Sequence, residues 1–169
     1  KLLECPLYIR RIDELTRSRD TQFRRVYEEV TRKIRFSFYQ YFKCPIILGH
    51  NRDDTFENMF SNLARQIHFD NLSGMLENSV ESNITLLRPF LTIDKSDILK
   101  YADTNQIPHL IDSTPPWSER GKTRDVLMPS IEKFNPTILP GLEEFAQFTS
   151  FLYKQWENSF SAWIEIIPK

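Results

Sequence analysis

Apolar positions recur along this chain at strand and helix spacings in alternation. Leu7 and Ile9 fall on one side of an alternating run, with Ile12 a further candidate to face inward, which predicts a strand over residues 7–12. A polar connection follows over 17–20. Val26, Val30, Ile34 and Phe38 repeat every four residues, so residues 22–42 read as a helix. The run 45–48 reads as a short buried strand. Phe56, Met59, Phe60, Leu63 and Ile67 make one stripe and predict a helix over 53–68. Residues 70–83, with Gly74, read as a loop. Residues 85–90 read as a strand stopped by Pro89. A helix is expected over 94–105, with Asp94 as N-cap and Asp97 in its first turn. An extended X-Pro segment (106–111) and a loop carrying Pro115-Pro116 (113–121) come next. Another helix runs to about Phe134, bent near Pro129, because proline lacks the N–H that a helix interior needs. Residues 140–163 read as one long amphipathic helix, with Leu142, Phe145, Ala146, Phe148, Leu152 and Trp156 available to a core. Strands alternating with helices indicate an α/β fold, a parallel sheet flanked by helices.

Composition narrows this further. A chain of 169 residues with 40% hydrophobic and 13% aromatic residues can build a real core, as one domain or one domain with an appendage. No apolar run reaches the ~18 residues that a membrane span needs, and no apolar stretch follows the first charged residue as in a signal peptide. No membrane and a cytoplasmic setting are therefore expected. Cys5 and Cys44 have no metal-binding spacing and read as reduced core thiols, a disulfide being the alternative. The net charge of −1 argues against a generic nucleic-acid binder. Its distribution is uneven: residues 1–43 carry 11 Lys+Arg against 6 Asp+Glu, and the remainder carries the acidic excess. Such asymmetry marks either a nucleic-acid face or a solvated helix surface.

Candidate chemistry gathers where the run 45–48 ends in Gly49-His50-Asn51-Arg52-Asp53-Asp54. Ligand sites in α/β sheets collect at such strand ends. Asp54 and Glu57 lie about 60° apart on the predicted helix, off its apolar stripe, so two carboxylates can face one crevice. A pair of that kind suits Mg²⁺, or a base acting on an amine. Acids in a first turn also simply favour the helix dipole, and spacing alone favours that plainer reading. Arg120 and Arg124, four apart at a helix start, could clamp a phosphate. Two solvated side chains are the plainer reading; changing both to Gln keeps much of the volume and helix propensity, so stability is expected barely to move. Glu28, Arg32 and Arg35 share the first helix, where an i,i+4 pair is worth only a few tenths of a kcal/mol.

Together these segments are more specific than any one of them. Gly49-His50-Asn51-Arg52-Asp53-Asp54 with Glu57 resembles the GHxxDDxxET segment of the PP-loop ATP pyrophosphatases that modify tRNA. Asn71-Leu72-Ser73-Gly74-Met75 resembles their GLxGM loop, and Leu87-Arg88-Pro89-Phe90-Leu91 their RPLL strand. Asp112-Ser113-Thr114, then Arg120-Gly121-Lys122-Thr123-Arg124 and Pro129, is similar to the DxSN…RNxxR…LLP signature of the tRNA(Ile)-lysidine synthetases. Glu28, Arg32 and Arg35-Phe36 match the ExxxRxxRY helix of that family. Two departures stand out. The family's SGGxDS phosphate loop is absent, since no glycine precedes Gly49, and Gly121 stands where the motif has Asn.

The resemblance implies an adenine-nucleotide α-hydrolase-like, Rossmann-like fold, incomplete in this chain. Residues 1–134 would be the C-terminal part of the ATP domain and 135–169 a helical extension. It implies ATP and Mg²⁺ as cofactors, and tRNA and free lysine as substrates. A further partner would be a polypeptide carrying the SGGxDS half, or the N-terminal part of the same protein. The implied reaction adenylates the C2 oxygen of a wobble cytidine, and the lysine amine then displaces AMP. Asp54, Glu57, Arg120 and Arg124 would be catalytic, with Asp54 on the metal. Gly49, His50 and Asp53 would line the nucleotide, and Glu28, Arg32, Arg35, Asp112 and Ser113 the substrate. A non-catalytic tRNA-binding or partner-docking module is the alternative, as is a PP-loop relative such as a thiolation enzyme. Thiolation is disfavoured because residues 110–124 contain no Cys.

Overall fold

A computed structural model describes residues 5–15, 21–110 and 114–166. The chain forms two compact units, one from residues 1–47 and 78–87, the other from 48–77 and 88–169.

In the first unit, helix α1 (Thr21–Tyr41) follows the four-residue repeat. Val30, Ile34 and Phe38 are half-buried, whereas Val26 is exposed. Phe42, just past the helix, meets Phe38 and Tyr8 edge-on, with ring centroids 5.2 and 4.9 Å apart. The expected strand over 7–12 does not form. Leu7 and Ile9 are exposed, and no backbone among the described residues pairs with them. Alternation alone cannot make a strand without a ladder partner.

Strands β1 (Ile46–Ile47), β2 (Asn78–Glu81) and β3 (Ile84–Leu87) form a mixed sheet in the order β1-β3-β2. The β1/β3 pair is parallel, as expected, with Ile46 opposite Leu86. β2 falls inside the expected loop 70–83 and pairs antiparallel with β3, Glu81 opposite Ile84. Ser82 and Asn83 both have positive φ (50° and 62°), which makes a two-residue type I′ hairpin turn. β3 alternates cleanly, with Ile84 and Leu86 buried and Thr85 exposed. β1 is not the buried strand expected. It has a neighbour on one side only among the described residues, and Ile47 is exposed. Arg32 Nη2 to Glu81 (2.7 Å) and Gln40 Nε2 to the Ser82 carbonyl (2.9 Å) tie α1 to the hairpin. Ser carries the left-handed strain at position 82, so Ser82→Asn with Asn83→Gly should raise stability by about 1 kcal/mol, read as an upward shift in the urea midpoint.

Cys5 and Cys44 are free thiols but exposed, not core. Each precedes a proline in a connection outside the helices.

The second unit is built on α2 (Arg52–Arg65), α3 (Lys95–Thr104), α4 (Glu119–Lys122), α5 (Met128–Phe134) and α6 (Ile138–Ile166). Its core joins Phe56 and Met59 of α2, Leu72, Met128 of α5, and Leu139 and Ala146 of α6. Each large apolar side chain so buried contributes about 2 kcal/mol before packing losses. Leu72 belongs to the Gly74 loop, which Asn62 Nδ2 fastens to α2 through the Leu72 carbonyl at 2.9 Å. α2 ends at Arg65, three residues early, because Gln66 turns left-handed and its N–H closes on Asn62 and Leu63. The irregularity expected near Pro129 takes the form of a π-helical turn, Thr123–Leu127. There the Met128 N–H reaches back five residues to the Thr123 carbonyl. That leaves Pro129 in the first turn of α5, where its missing N–H costs little. Among the described residues no helix is long and apolar enough to cross a membrane.

Candidate active site

The start of α2 is closed by a reciprocal cap. The Asn51 side chain accepts the Asp54 N–H (3.3 Å), and the Asp54 carboxylate accepts the Asn51 N–H (3.1 Å). This fixes Asp54 with Oδ2 committed to the backbone, leaving Oδ1 for other partners. Asp53 points elsewhere. Asp94 is the N-cap residue of α3, as expected, but its side chain makes no cap bond; the Asp53 Oδ2 accepts the Lys95 N–H (2.8 Å) in its place.

Glu57 lies one turn further on, and its carboxylate is 0% exposed. The expectation of a second carboxylate open to a crevice beside Asp54 is therefore corrected. Both Glu57 oxygens are taken by guanidiniums. Arg120 Nε donates to Oε2 at 2.9 Å, and Arg124 Nε to Oε1 at 2.7 Å. Arg124 Nη2 adds a bond to Oε1. A buried carboxylate is tolerated only when paired and hydrogen-bonded in this way. Arg120 Nη2 also reaches Asp54 Oδ1 at 3.4 Å, and Arg124 Nη1 reaches Thr114 Oγ1 at 3.5 Å. The four residues chosen from sequence as catalytic are thus brought together in one cluster. Side-chain exposure rises outward through it, from Glu57 to Asp54 (19%), Arg124 (23%) and Arg120 (52%). Such a cluster presents an anchored guanidinium edge beside one partly open carboxylate. The first suits a phosphate, the second a cation or an amine.

The arginines are aimed by the helix start that carries them. Buried Ser118 caps α4 by accepting the Gly121 N–H at 3.0 Å. Glu119 binds Arg65 (2.9 Å) and Ser61 (3.1 Å), which docks α4 on α2. Gly121 passes so close to the Pro115-Pro116 segment that a Cβ would sit 2.4 Å from the Pro115 carbonyl oxygen. That contact accounts for glycine at the position where the resembled motif has Asn. Gly121→Ala should cost about 2 kcal/mol despite the better helix propensity of Ala, since backbone must move. Thermal unfolding checks this, and an unchanged or higher midpoint would refute the close contact.

At Gly49, by contrast, an added Cβ would meet nothing within 4 Å, so packing in the chain itself does not require glycine. His50 is half-buried beside it. Glu28, Arg32 and Arg35 lie on α1 in the first unit, where Arg32 is engaged with Glu81. Asp112 and Ser113 lie outside the described residues. Among the described residues no group of three or more His, Cys, Asp or Glu is arranged to hold a metal.

Sequence reasoning missed Arg52, Ser118 and Glu119. Arg52 Nη2 binds Glu143 of α6 at 2.6 Å, and its pKa is raised, first by that hydrogen bond. Its partner lies 91 residues away, so no local spacing could have revealed the pair.

The chain is 27% identical over 154 residues to the bifunctional protein TilS/HprT of Listeria innocua, covering 87% of this chain and 24% of that protein. It is 32% identical over 147 residues to the tRNA(Ile)-lysidine synthase of Chlamydia pneumoniae, covering 80% and 46%. With the enzyme of the same name from Anaplasma marginale the identity is 28% over 134 residues, covering 75% and 28%. The chain therefore spans less than half the length of these relatives. Residues 1–131 match the PP-loop domain, which carries with it the adenine-nucleotide α-hydrolase fold of which the three-stranded sheet is an incomplete part. On that match the chain belongs to the PP-loop domain family.

Proposed function

We propose that this chain supplies part of the active site of an ATP-dependent tRNA-modifying ligase of the lysidine-synthetase type. The observation that carries the reading is the buried Glu57 carboxylate gripping Arg120 and Arg124 next to a partly open Asp54. In the first step a cytidine C2 oxygen attacks the α-phosphate of ATP and pyrophosphate leaves. In the second, the amine of free lysine attacks C2 and AMP leaves with the oxygen. Both steps build negative charge on phosphate oxygens, which the anchored guanidiniums would stabilise without first having to reorganise. Glu57 serves as the positioning residue that holds them. Asp54, the carboxylate of the cluster with exposure left, would orient the incoming amine. The same carboxylate fits Mg²⁺, which binds through one or two carboxylates plus substrate phosphates and would neutralise phosphate charge.

In this reading residues 1–134 form part of the ATP domain and 135–169 a helical extension. Gly49, His50 and Asp53 border the nucleotide. Glu28, Arg32, Arg35, Asp112 and Ser113 serve the tRNA side. A phosphate-loop segment would come from the rest of the protein or from a second polypeptide, in the cytoplasm. The test is the whole protein with ATP, tRNA and labelled lysine. AMP released in step with lysine entering tRNA supports the proposal. Retention of tRNA without AMP would replace it with a binding module.

A further inference from the structure

Arg52 breaks an ordinary rule. It occupies the first helical position of α2, where the positive end of the helix disfavours a cation. Two carboxylates offset this, Glu143 Oε2 of α6 at 2.6 Å from Nη2 and Oδ1 of Asp94, just ahead of α3, at 3.5 Å from Nη1. The guanidinium also lies 5.7 Å from the centroid of the Phe56 ring. Its side chain is 29% exposed and that of Glu143 22%, so solvent screens the pair only in part. The Arg52 N–H donates to the Ile93 carbonyl at 3.0 Å, and the next residue, Asp53, caps α3. The turn that delivers Asp54 is thus strapped to the start of α3 by two hydrogen bonds and the Asp94 ion pair, and to α6 by the Glu143 ion pair.

We propose that Arg52, held by Glu143, is a positioning residue for Asp54: the pair sets the start of α2 and with it the placement of the Asp54 carboxylate against Arg120. This rests on the proposed function for its catalytic consequence and deepens it by assigning α6 a role at the site. Arg52 acts through the backbone, since its own side chain is committed to Glu143 and Asp94. A merely stabilising ion pair would change the melting temperature and leave the turn and the turnover of the folded protein alone.

The experiment compares Arg52→Gln, Glu143→Gln, the double variant, and the exchanged pair Arg52→Glu/Glu143→Arg in the whole protein. One readout is amide hydrogen exchange over residues 51–54 and at Lys95, which needs no turnover. The other is AMP release, resolved into kcat and the KM for ATP. Each single variant should speed exchange of these amides and lower kcat, both about tenfold, with KM held within about twofold. The double variant should be no worse than either single, because one interaction is lost in all three. The exchanged pair should recover part of both signals and exceed either single variant: an acid suits the helix start, but at position 52 it also faces Asp94. Should Arg52→Gln not fold, Arg52→Lys, which keeps the cation but not the fork, carries the same comparison. Unchanged amide exchange, or losses in kcat that multiply in the double variant, would overturn the proposal. A wild-type protein that releases no AMP would sink the reaction itself, and the exchange data would still decide whether Arg52 and Glu143 fix the turn.

Discussion

Arg120→Gln/Arg124→Gln is expected to destabilise the protein by about 3 kcal/mol, the low end of what breaking a buried ion pair costs. From sequence, exchanging both arginines for Gln keeps volume and helix propensity and is expected to leave stability nearly untouched. The structure reverses that expectation, because their shared partner Glu57 is fully buried. With both cations gone, its carboxylate stays in the interior with only neutral amides to face it. Gln keeps some hydrogen bonding, which is why the upper end of the range is not expected. Arg120→Gln alone should cost less than about 1 kcal/mol, since Arg120 is half-exposed and Arg124 remains. Adding Glu57→Gln to the double variant removes the buried charge and should restore most of the loss. Urea unfolding midpoints at constant slope measure all of these. A double variant within about 0.5 kcal/mol of wild type, the usual range for surface changes, would mean that Glu57 is not held as a buried anion.

The same residue shows where sequence reading stopped. The stripe Phe56, Met59, Phe60 and Leu63 was legible because helical spacing is a local property, and it does face the core, whereas Ile67, read as part of it, lies past the end of α2 and is exposed. Glu57 borders that stripe, and spacing placed it in the open. Its burial depends on two arginines 63 and 67 residues away, which no local pattern reports. Asp53 and Asp54 are likewise indistinguishable in sequence. One caps α3 and the other turns back on its own helix start, and the difference lies in where α3 arrives. Helix ends were blurred for another reason. Lys43, Gln66 and Gln106 take the left-handed conformation that glycine usually marks, in a chain with only four glycines. The hairpin turn carries Ser82-Asn83 where Asn-Gly would have announced it, so β2 was hidden in a loop. The order of motifs was read more securely than any single element, because the resemblance draws on residues all along the chain.

Asp54→Asn should lower AMP release by about 10²-fold or more in the whole protein while leaving the fold nearly intact. Asn is chosen because its carbonyl oxygen can still accept the Asn51 N–H, which keeps that half of the cap at 3.1 Å available. What it removes is charge. The other oxygen, Oδ1, 3.4 Å from Arg120 Nη2, would be replaced by an amide donor facing a guanidinium. Stability should fall by less than about 1 kcal/mol, the scale of a weakened cap. If Asp54 orients the amine, the deficit should sit in lysine transfer, and tRNA adenylation should persist. If it acts through Mg²⁺ at the phosphates, adenylation itself should fail, with the metal dependence of the residual rate shifted. Single-turnover measurement of adenylated tRNA before and after lysine addition separates the two. A loss below about threefold at wild-type stability, far short of the cost of a catalytic electrostatic group, would leave Asp54 with the role its bond to Asn51 already gives it, that of a capping residue.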